Sequence, residues 1–220
     1  MRTTEKPRKS ANGAGSTDDD LTQRRRKEIA DGACVVFDQR GYANTRIADI
    51  SDHLGVGQGT IYRYFTGKED LMDHIVGHAV RRILAAMRED GVGDSPVRTA
   101  AQFVDQITAV AHRLLDMAAR ESVLVRVLLV QAQAARPDAI DDLTDQLAVT
   151  TAGYLANGVE SGYLREDLDT AAVADAMVGI TMPAMRRVLR DQLDDAGREA
   201  TARTIGRLIA YGAVEPEFAS

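Results

Sequence analysis

The sequence lacks tryptophan and has a single cysteine, Cys34, among its 220 residues. One cysteine excludes an intrachain disulfide and is typical of a protein kept in a reducing compartment. No run of about 18 apolar residues occurs, which argues against a membrane-spanning helix. The polar N-terminus also lacks the apolar stretch of a signal peptide. From these absences we expect a cytoplasmic protein that does not contact membranes.

Aromatic residues are scarce at 5%, although hydrophobic residues as a whole make up 45% of the chain. The apolar content comes mainly from alanine, leucine and valine, a composition that favours packed helices over sheets. No segment alternates between polar and apolar residues in the manner of a strand, and no internal repeat is evident. We therefore predict an all-α protein, with a length that suits one domain or two modest ones.

The net charge of −6 conceals an uneven distribution, because residues 1–68 carry +3 and the remainder carries −9. A local positive surface is what nucleic-acid binding requires, since each neutralised phosphate releases counterions. An acidic body behind it would limit nonspecific association. The same charges also fit an ordinary solvated surface, so charge alone leaves both interpretations open. The basic residues cluster at Arg2, Lys6, Arg8, Lys9, Arg24, Arg25, Arg26 and Lys27.

Residues 1–20 are polar and aperiodic, which predicts a disordered arm. Thr22 is a plausible N-cap for a first helix that runs to about Arg40, and Gly41 then follows where a helix end favours a positive φ. Apolar residues recur along this helix at the spacing of one buried face. They are Ile29, Ala33, Val36 and Phe37.

Two short helices joined by a glycine-bearing turn are predicted between Thr45 and Phe65. The first begins after Thr45 as N-cap, and its inward residues are Ile47, Ile50 and Leu54. Gly55-Val56-Gly57 forms the turn, with Val56 in the small core. The second helix spans 58–65 and is held by Ile61 and Phe65.

The second short helix places polar side chains on one exposed face, in the layout of a helix-turn-helix that reads DNA. Glutamine can bond adenine, arginine can form two bonds to guanine, and a threonine methyl can meet a thymine methyl. A glycine lets the backbone approach the groove floor closely. The residues expected to contact bases are Gln58, Gly59, Thr60 and Arg63.

Other polar residues flank this face and are suited to the phosphate backbone. The hydroxyls of Tyr62 and Tyr64 can reach phosphates on either strand. Lys68 opens the following helix, where its charge adds to the free N–H groups of the helix N-terminus. Thr45 occupies the corresponding place before the turn. The set expected to contact phosphates is therefore Thr45, Tyr62, Tyr64 and Lys68.

The segment from about Arg24 to Val76 resembles the N-terminal domain of the TetR family of bacterial transcriptional repressors. The matching residues are Phe37, Gly41-Tyr42, Thr45, Ile50, Gly55-Val56, Gly59-Thr60-Ile61-Tyr62-Arg63-Tyr64-Phe65 and Lys68-Glu69-Asp70-Leu71. The resemblance implies the base and phosphate contacts given above. Gly57 and Gly67 depart from it, since the family often has a better-capping polar residue at each place.

The resemblance also implies the organisation of the whole chain. Residues 1–21 would be a disordered basic arm and residues 22–67 a three-helix helix-turn-helix domain. Residues 68–220 would form a helical effector-binding and dimerisation domain, with further helices at about 97–118, 120–135, 138–160, 169–192 and 196–212. The expected function is a homodimeric repressor that binds a palindromic double-stranded DNA operator and is released by a ligand.

Candidate residues for the effector and the dimer lie in this second part. A mostly apolar pocket suits a small lipophilic effector, although most of its residues fit plain core equally well. The pocket candidates are Phe103, Ile107, Val110, Leu114, Met117, Val127, Gln131, Tyr154 and Met177. Two helices from each chain would pair in a four-helix bundle. The dimer candidates are Val178, Met185, Leu189, Ile205, Leu208 and Ile209.

Catalytic and metal sites are not expected, and neither is a cofactor. His74 and His78 are four residues apart, but no third ligand gathers near them in the sequence. No nucleophile elbow or phosphate-cradling glycine loop is present. Two alternatives remain open: a DNA-binding regulator of the same fold that answers to a protein partner or to no small ligand, and a helical carrier or enzyme that binds no DNA.

Overall fold

The computed structural model describes residues 14–88, 97 and 99–213. These residues form ten α-helices and one π-helical turn and contain no strand, which confirms the all-α prediction. Within the same ranges, no helix has both the length and the apolar character needed to cross a membrane. The elements are α1 (Ala14–Arg40), α2 (Ile47–Leu54), α3 (Gln58–Tyr62), α4 (Lys68–Arg88), α5 (Ala100–Arg120), α6 (Ser122–Arg126), the π turn (Val127–Gln131), α7 (Ala132–Ala135), α8 (Pro137–Glu160), α9 (Thr170–Leu189) and α10 (Asp195–Ala213).

Helix α1 begins earlier than the sequence suggests. The predicted N-cap, Thr22, lies inside the helix, which starts at Ala14. No proline interrupts residues 14–40, so nothing stops the helix from extending toward the N-terminus. Residues 1–13 of the predicted disordered arm lie outside the described residues, and the prediction of disorder was wrong for 14–21.

The helix-turn-helix is held against α1 by a close approach between two helices. A Cβ added at Gly32 would lie 2.5 Å from Leu54 Cδ2, so only glycine allows α2 to pack this near. Gly41 ends α1 with a φ of 80°, as predicted. Gly55 ends α2 with a φ of 65° and makes the turn into α3. The inward residues Ile50 and Ile61 are fully buried.

Two helix ends differ from the predictions. Helix α2 is capped at Arg46 rather than Thr45, and the Asp49 carboxylate accepts the Arg46 backbone N–H at 2.8 Å. Helix α3 ends at Tyr62, three residues before Phe65. The backbone N–H of Phe65 still bonds the Ile61 carbonyl at 3.0 Å, so the chain turns inward there and buries the ring.

The second part packs α5, α8, α9 and α10 side by side. Asp169 caps α9 by accepting the Ala172 N–H at 3.0 Å. The end of α8 lies against the following loop, because Gly158 leaves room for the buried side chains of Tyr163 and Leu164. These contacts place α9 antiparallel to α8 and lead into α10.

The dimer candidates are mostly buried within their own chain. Five of the six therefore cannot be surface contacts, and that prediction was wrong for them: Val178, Met185, Leu189, Ile205 and Ile209. Helical spacing identified apolar stripes but did not tell the inner stripe from the outer one. Leu208 is the exception, with 57% of its surface exposed, and Tyr211 on the same helix is 78% exposed.

Substituting Gly158 tests this packing. In Gly158→Ala the new Cβ would lie 2.6 Å from Leu164 Cδ1, so we expect a loss of about 1–3 kcal/mol in the free energy of unfolding. Gly153→Ala, on the same helix with no atom within 4 Å of the added Cβ, serves as the control. It should gain up to about 1 kcal/mol from helix propensity. Urea unfolding measures both, and equal midpoints for the two variants would contradict the packing.

Candidate nucleic-acid interface and adjoining cavity

Helix α3 presents its polar residues to solvent. Gln58, Gly59 and Arg63 are exposed, and Thr60 is half-buried. A Cβ at Gly59 would meet no atom within 4 Å, so this side of the helix is open to a ligand as large as a DNA groove. The structure thus brings the four predicted base-contact residues together on one exposed side, and their contacts with bases remain a prediction.

The two tyrosines of this segment differ in setting. Tyr62 is exposed, whereas Tyr64 is half-buried. The Arg63 guanidinium lies 4.9 Å from the centre of the Tyr64 ring and donates to its hydroxyl at 3.1 Å. This contact restricts Arg63 while leaving most of its five donors unused. Arg63 and Tyr64 therefore form one unit at the edge of the reading surface.

Part of the predicted basic cluster on α1 has a structural task. Arg26 donates to the Tyr64 carbonyl at 2.9 Å, and its guanidinium lies 4.5 Å from the centre of the Phe65 ring. Arg25 pairs with Glu28 at 2.6 Å and Lys27 with Asp31 at 2.6 Å. Arg26 thus fixes the end of α3 to α1, a role that charge clustering alone did not reveal.

Lys68 connects α4 to the turn after α1. Its ammonium donates to the Tyr42 carbonyl at 2.9 Å and lies 4.3 Å from the centre of the Tyr42 ring. One of the three ammonium protons is used in this way, and the half-buried side chain keeps two for a phosphate. The phosphate contact therefore stays a prediction.

Thr45 is not placed to bind a phosphate, and that prediction was wrong. Its side chain is only 1% exposed, and its hydroxyl donates to the Gly41 carbonyl at 2.8 Å. The next residue, Arg46, is exposed at the N-terminus of α2. Its cationic side chain stands where Thr45 was expected to act. The sequence signal for it was the helix cap, which lies one residue later than assumed.

Two substitutions separate these residues. Arg46→Ala should weaken binding to all DNA sequences alike and reduce the slope of log affinity against log salt by about 1, because one phosphate contact is lost. Thr45→Val should cost about 1 kcal/mol of stability through the lost hydrogen bond but leave the slope unchanged. Salt titrations by fluorescence anisotropy measure both. A reduced slope for the valine variant alone would restore Thr45 as the contact.

A cavity of about 320 Å³ lies between α4, α5, α8 and α9. A smaller lobe of about 60 Å³ adjoins it, and both are lined by Met87, Val110, Thr151 and Met177. The larger volume is at the lower end of the range for small-molecule sites. Five of the predicted pocket residues line one lobe or both: Ile107, Val110, Leu114, Tyr154 and Met177.

The other four pocket candidates do not line this cavity. Phe103 is buried behind it, where its ring stacks on Tyr154 with centroids 5.9 Å apart. Met117 and Val127 are buried core residues outside the lining. These assignments were wrong because helical spacing does not distinguish a cavity wall from the core behind it. Gln131, the fourth, lies at the contact with the helix-turn-helix.

The segment 126–136 joins the second part of the chain to the helix-turn-helix. The Gln131 side-chain oxygen accepts the Tyr42 backbone N–H at 3.0 Å. Arg126 pairs with Asp38 at 2.9 Å and also donates to the Leu189 carbonyl at 2.9 Å. Arg136 forms an ion pair with Asp73. This segment therefore contacts α1, the following turn, α4 and the end of α9.

The polar groups of the cavity include one tyrosine whose ionisation is suppressed. Burial raises the pKa of Tyr154 above that of a free tyrosine, so its hydroxyl stays protonated near neutral pH. It donates to the Gln106 side-chain oxygen across the cavity wall. Tyr154 is thus a fixed donor rather than a base.

The histidine pair on α4 has a cationic setting. Burial lowers the pKa of both His74 and His78, and nearby arginines, Arg81 among them, add to the effect. His74 also packs edge-on against Phe65, with ring centroids 5.4 Å apart. Across the described part of the chain, no group of three histidine, cysteine or carboxylate side chains is close enough to hold a metal ion.

Comparison with known proteins places the helix-turn-helix in a family. The model of the family described as "Bacterial regulatory proteins, tetR family" matches residues 29–75. The HTH-type transcriptional repressor KstR2 of Mycobacterium tuberculosis (strain ATCC 25618 / H37Rv) is 27% identical over 151 residues, or 68% of this chain and 74% of that protein. The fatty acid metabolism regulator protein of Bacillus subtilis (strain 168) is 24% identical over 181 residues, or 80% and 90%.

Solved structures share the fold over most of the chain. FadR from Bacillus subtilis in complex with stearoyl-CoA matches with a TM-score of 0.65 at 23% identity, covering 84% of this chain and 98% of that one. KstR2 of Mycobacterium tuberculosis matches with a TM-score of 0.63 at 22% identity, covering 87% and 95%. The exposed α3 and these relatives define a DNA-binding transcriptional regulator. The chain belongs to the TetR family of bacterial regulatory proteins.

Proposed function

We propose that the protein is a homodimeric repressor that binds a palindromic operator and is released when a lipophilic effector enters the cavity. The observation that carries this proposal is the course of α4. Lys68 at its start holds the turn beside the reading helix, and Met87 near its end lines the cavity. One rigid element of 21 residues, about 30 Å long, therefore touches both sites.

In this proposal the two α3 helices of a dimer enter successive major grooves, roughly 34–36 Å apart. The exposed polar side of α3 meets the base edges, and Tyr62, Tyr64, Arg46 and Lys68 grip the backbone. The domain boundaries follow the same division, with a reading unit up to residue 67 and an effector and dimerisation unit from 68 onward. Helix α4 belongs physically to both.

The dimer would form on the outer side of α9 and α10 rather than through the buried stripe. Leu208 and Tyr211 are exposed there, and Ile180 and Pro183 of α9 border the groove between the two helices. Exposed large apolar side chains on neighbouring helices favour burial against a second copy. Two helices from each chain would then make a four-helix bundle.

The effector would be lipophilic because the cavity is lined largely by apolar side chains. FadR of Bacillus subtilis, which has the same fold, has been solved with stearoyl-CoA. In the present chain, methionines line both lobes and can adapt to ligands of different shape. The alternative, control by a protein partner, would leave this cavity without a role. A compound panel in a thermal-shift assay separates the two, since a bound ligand stabilises the fold.

The operator tests the DNA-binding half of the proposal. Selection from a random DNA library should return a palindrome with half-sites one helical turn apart. Arg63→Ala should weaken binding to that operator by about 1–3 kcal/mol and relax one position in each half-site. Gel-shift titration measures the loss. An unselective protein, or wild-type affinity in the variant, would contradict the assignment of α3 or of Arg63.

Substituting Gln131 tests the route between the sites. Gln131→Ala removes the acceptor of the Tyr42 N–H, so we expect effector binding to survive while effector-induced release from the operator weakens. Coupling energies in such systems are about 1–3 kcal/mol, so the release constant should change several-fold. Gln133→Ala, two residues along in α7, is the matched control. Unchanged release in Gln131→Ala would mean that α4 alone carries the signal.

A further inference from the structure

The charge of the cavity lining has one sign. Arg88, at the exposed end of α4, is the single charged residue among those described as lining either lobe, and no carboxylate joins it. The groove between α5 and α10 is different, because Asp105 and Glu199 line it together with arginines. A net positive mouth on an otherwise neutral cavity favours an anion by simple Coulomb attraction.

The neutral polar groups at the mouth add donors. The Gln106 side-chain oxygen already accepts the Tyr154 hydroxyl, which leaves the Gln106 amide N–H groups for another partner. Asn157 is exposed on the same rim. These groups and Arg88 together offer more donors than acceptors, the arrangement that suits a carboxylate or phosphate oxygen.

The far end of the cavity is apolar. The smaller lobe is lined by Met87, Met177, Met182 and Met185, with Leu114 and Leu147 beside them. Flexible methionine side chains fill gaps and shift to admit an apolar group. The two ends therefore favour opposite parts of one amphipathic molecule.

We infer that the effector is an amphipathic organic anion, whose apolar skeleton enters the methionine-lined lobe and whose anionic group binds Arg88. This inference rests on the proposed function and narrows it, because it selects one charge class among lipophilic compounds. The combined volume limits the buried part to a medium-length chain or a compact ring system. A longer molecule would extend past Arg88 into solvent.

A series of ten-carbon probes tests the inference. Decanoate, decyl phosphate, 1-decanol and decylamine share a chain and differ in head group. We expect the wild-type protein to bind the two anions at least about tenfold more tightly than the alcohol, since hydrogen bonds to charged groups contribute about 1.5–3 kcal/mol. Decylamine should bind most weakly. Isothermal titration calorimetry measures all four, and the stronger of the two anions identifies the head-group chemistry.

Charge variants assign the effect to one side chain. Arg88→Gln should reduce the binding of both anions to the level of the alcohol, and Arg88→Glu should favour decylamine. Arg207→Gln, an exposed arginine of the α5–α10 groove, is the control and should behave like wild type. Equal affinity for alcohol and anion in the wild-type protein would overturn the inference but keep a lipophilic effector. If no probe binds while operator binding persists, the effector part of the proposed function fails as well.

Discussion

The structure depends on the double burial of α4. Leu71, Met72 and Ile75 are buried at its start, and Ile83 is buried nearer its end, beside the cavity. A helix packed at both ends moves as one body, because cores are close-packed and resist local deformation. A change of volume beside Met87 is therefore felt at Lys68, where the helix meets the turn beside the reading surface.

The segment 126–136 braces this arrangement through polar contacts. Its pairs Arg126–Asp38 and Arg136–Asp73 are partly exposed, so each adds little to stability. Their value is geometric, since together with the Gln131–Tyr42 bond they fix three separate points of the helix-turn-helix. Contacts of low energy are easily exchanged for others, which is what a regulated joint requires. The reading unit is thus held in place by α4 and oriented by the brace.

Local signals predicted the helix-turn-helix well, because glycines at 41 and 55 and the buried Ile50 and Ile61 each have one structural solution. They failed where the answer depended on distant parts of the chain. The start of α1 has no local stop signal. The outward face of α10 depends on which stripe α5 covers, so buried Ile205 and exposed Leu208 look alike in sequence. Gln131 looked like a cavity residue because nothing nearby reveals its bond across 89 positions to Tyr42.

The π turn at 127–131 has a consequence for the spacing of the chain. A π turn accommodates one more residue than an α turn, so the segment contains an extra position that a regular helix would not hold. Removing one residue there would restore regular geometry but rotate everything beyond it by about 100°. Arg136 would then point away from α4 and Gln131 away from Tyr42. Amino-acid substitutions are thus tolerated more readily in this stretch than any change in its length.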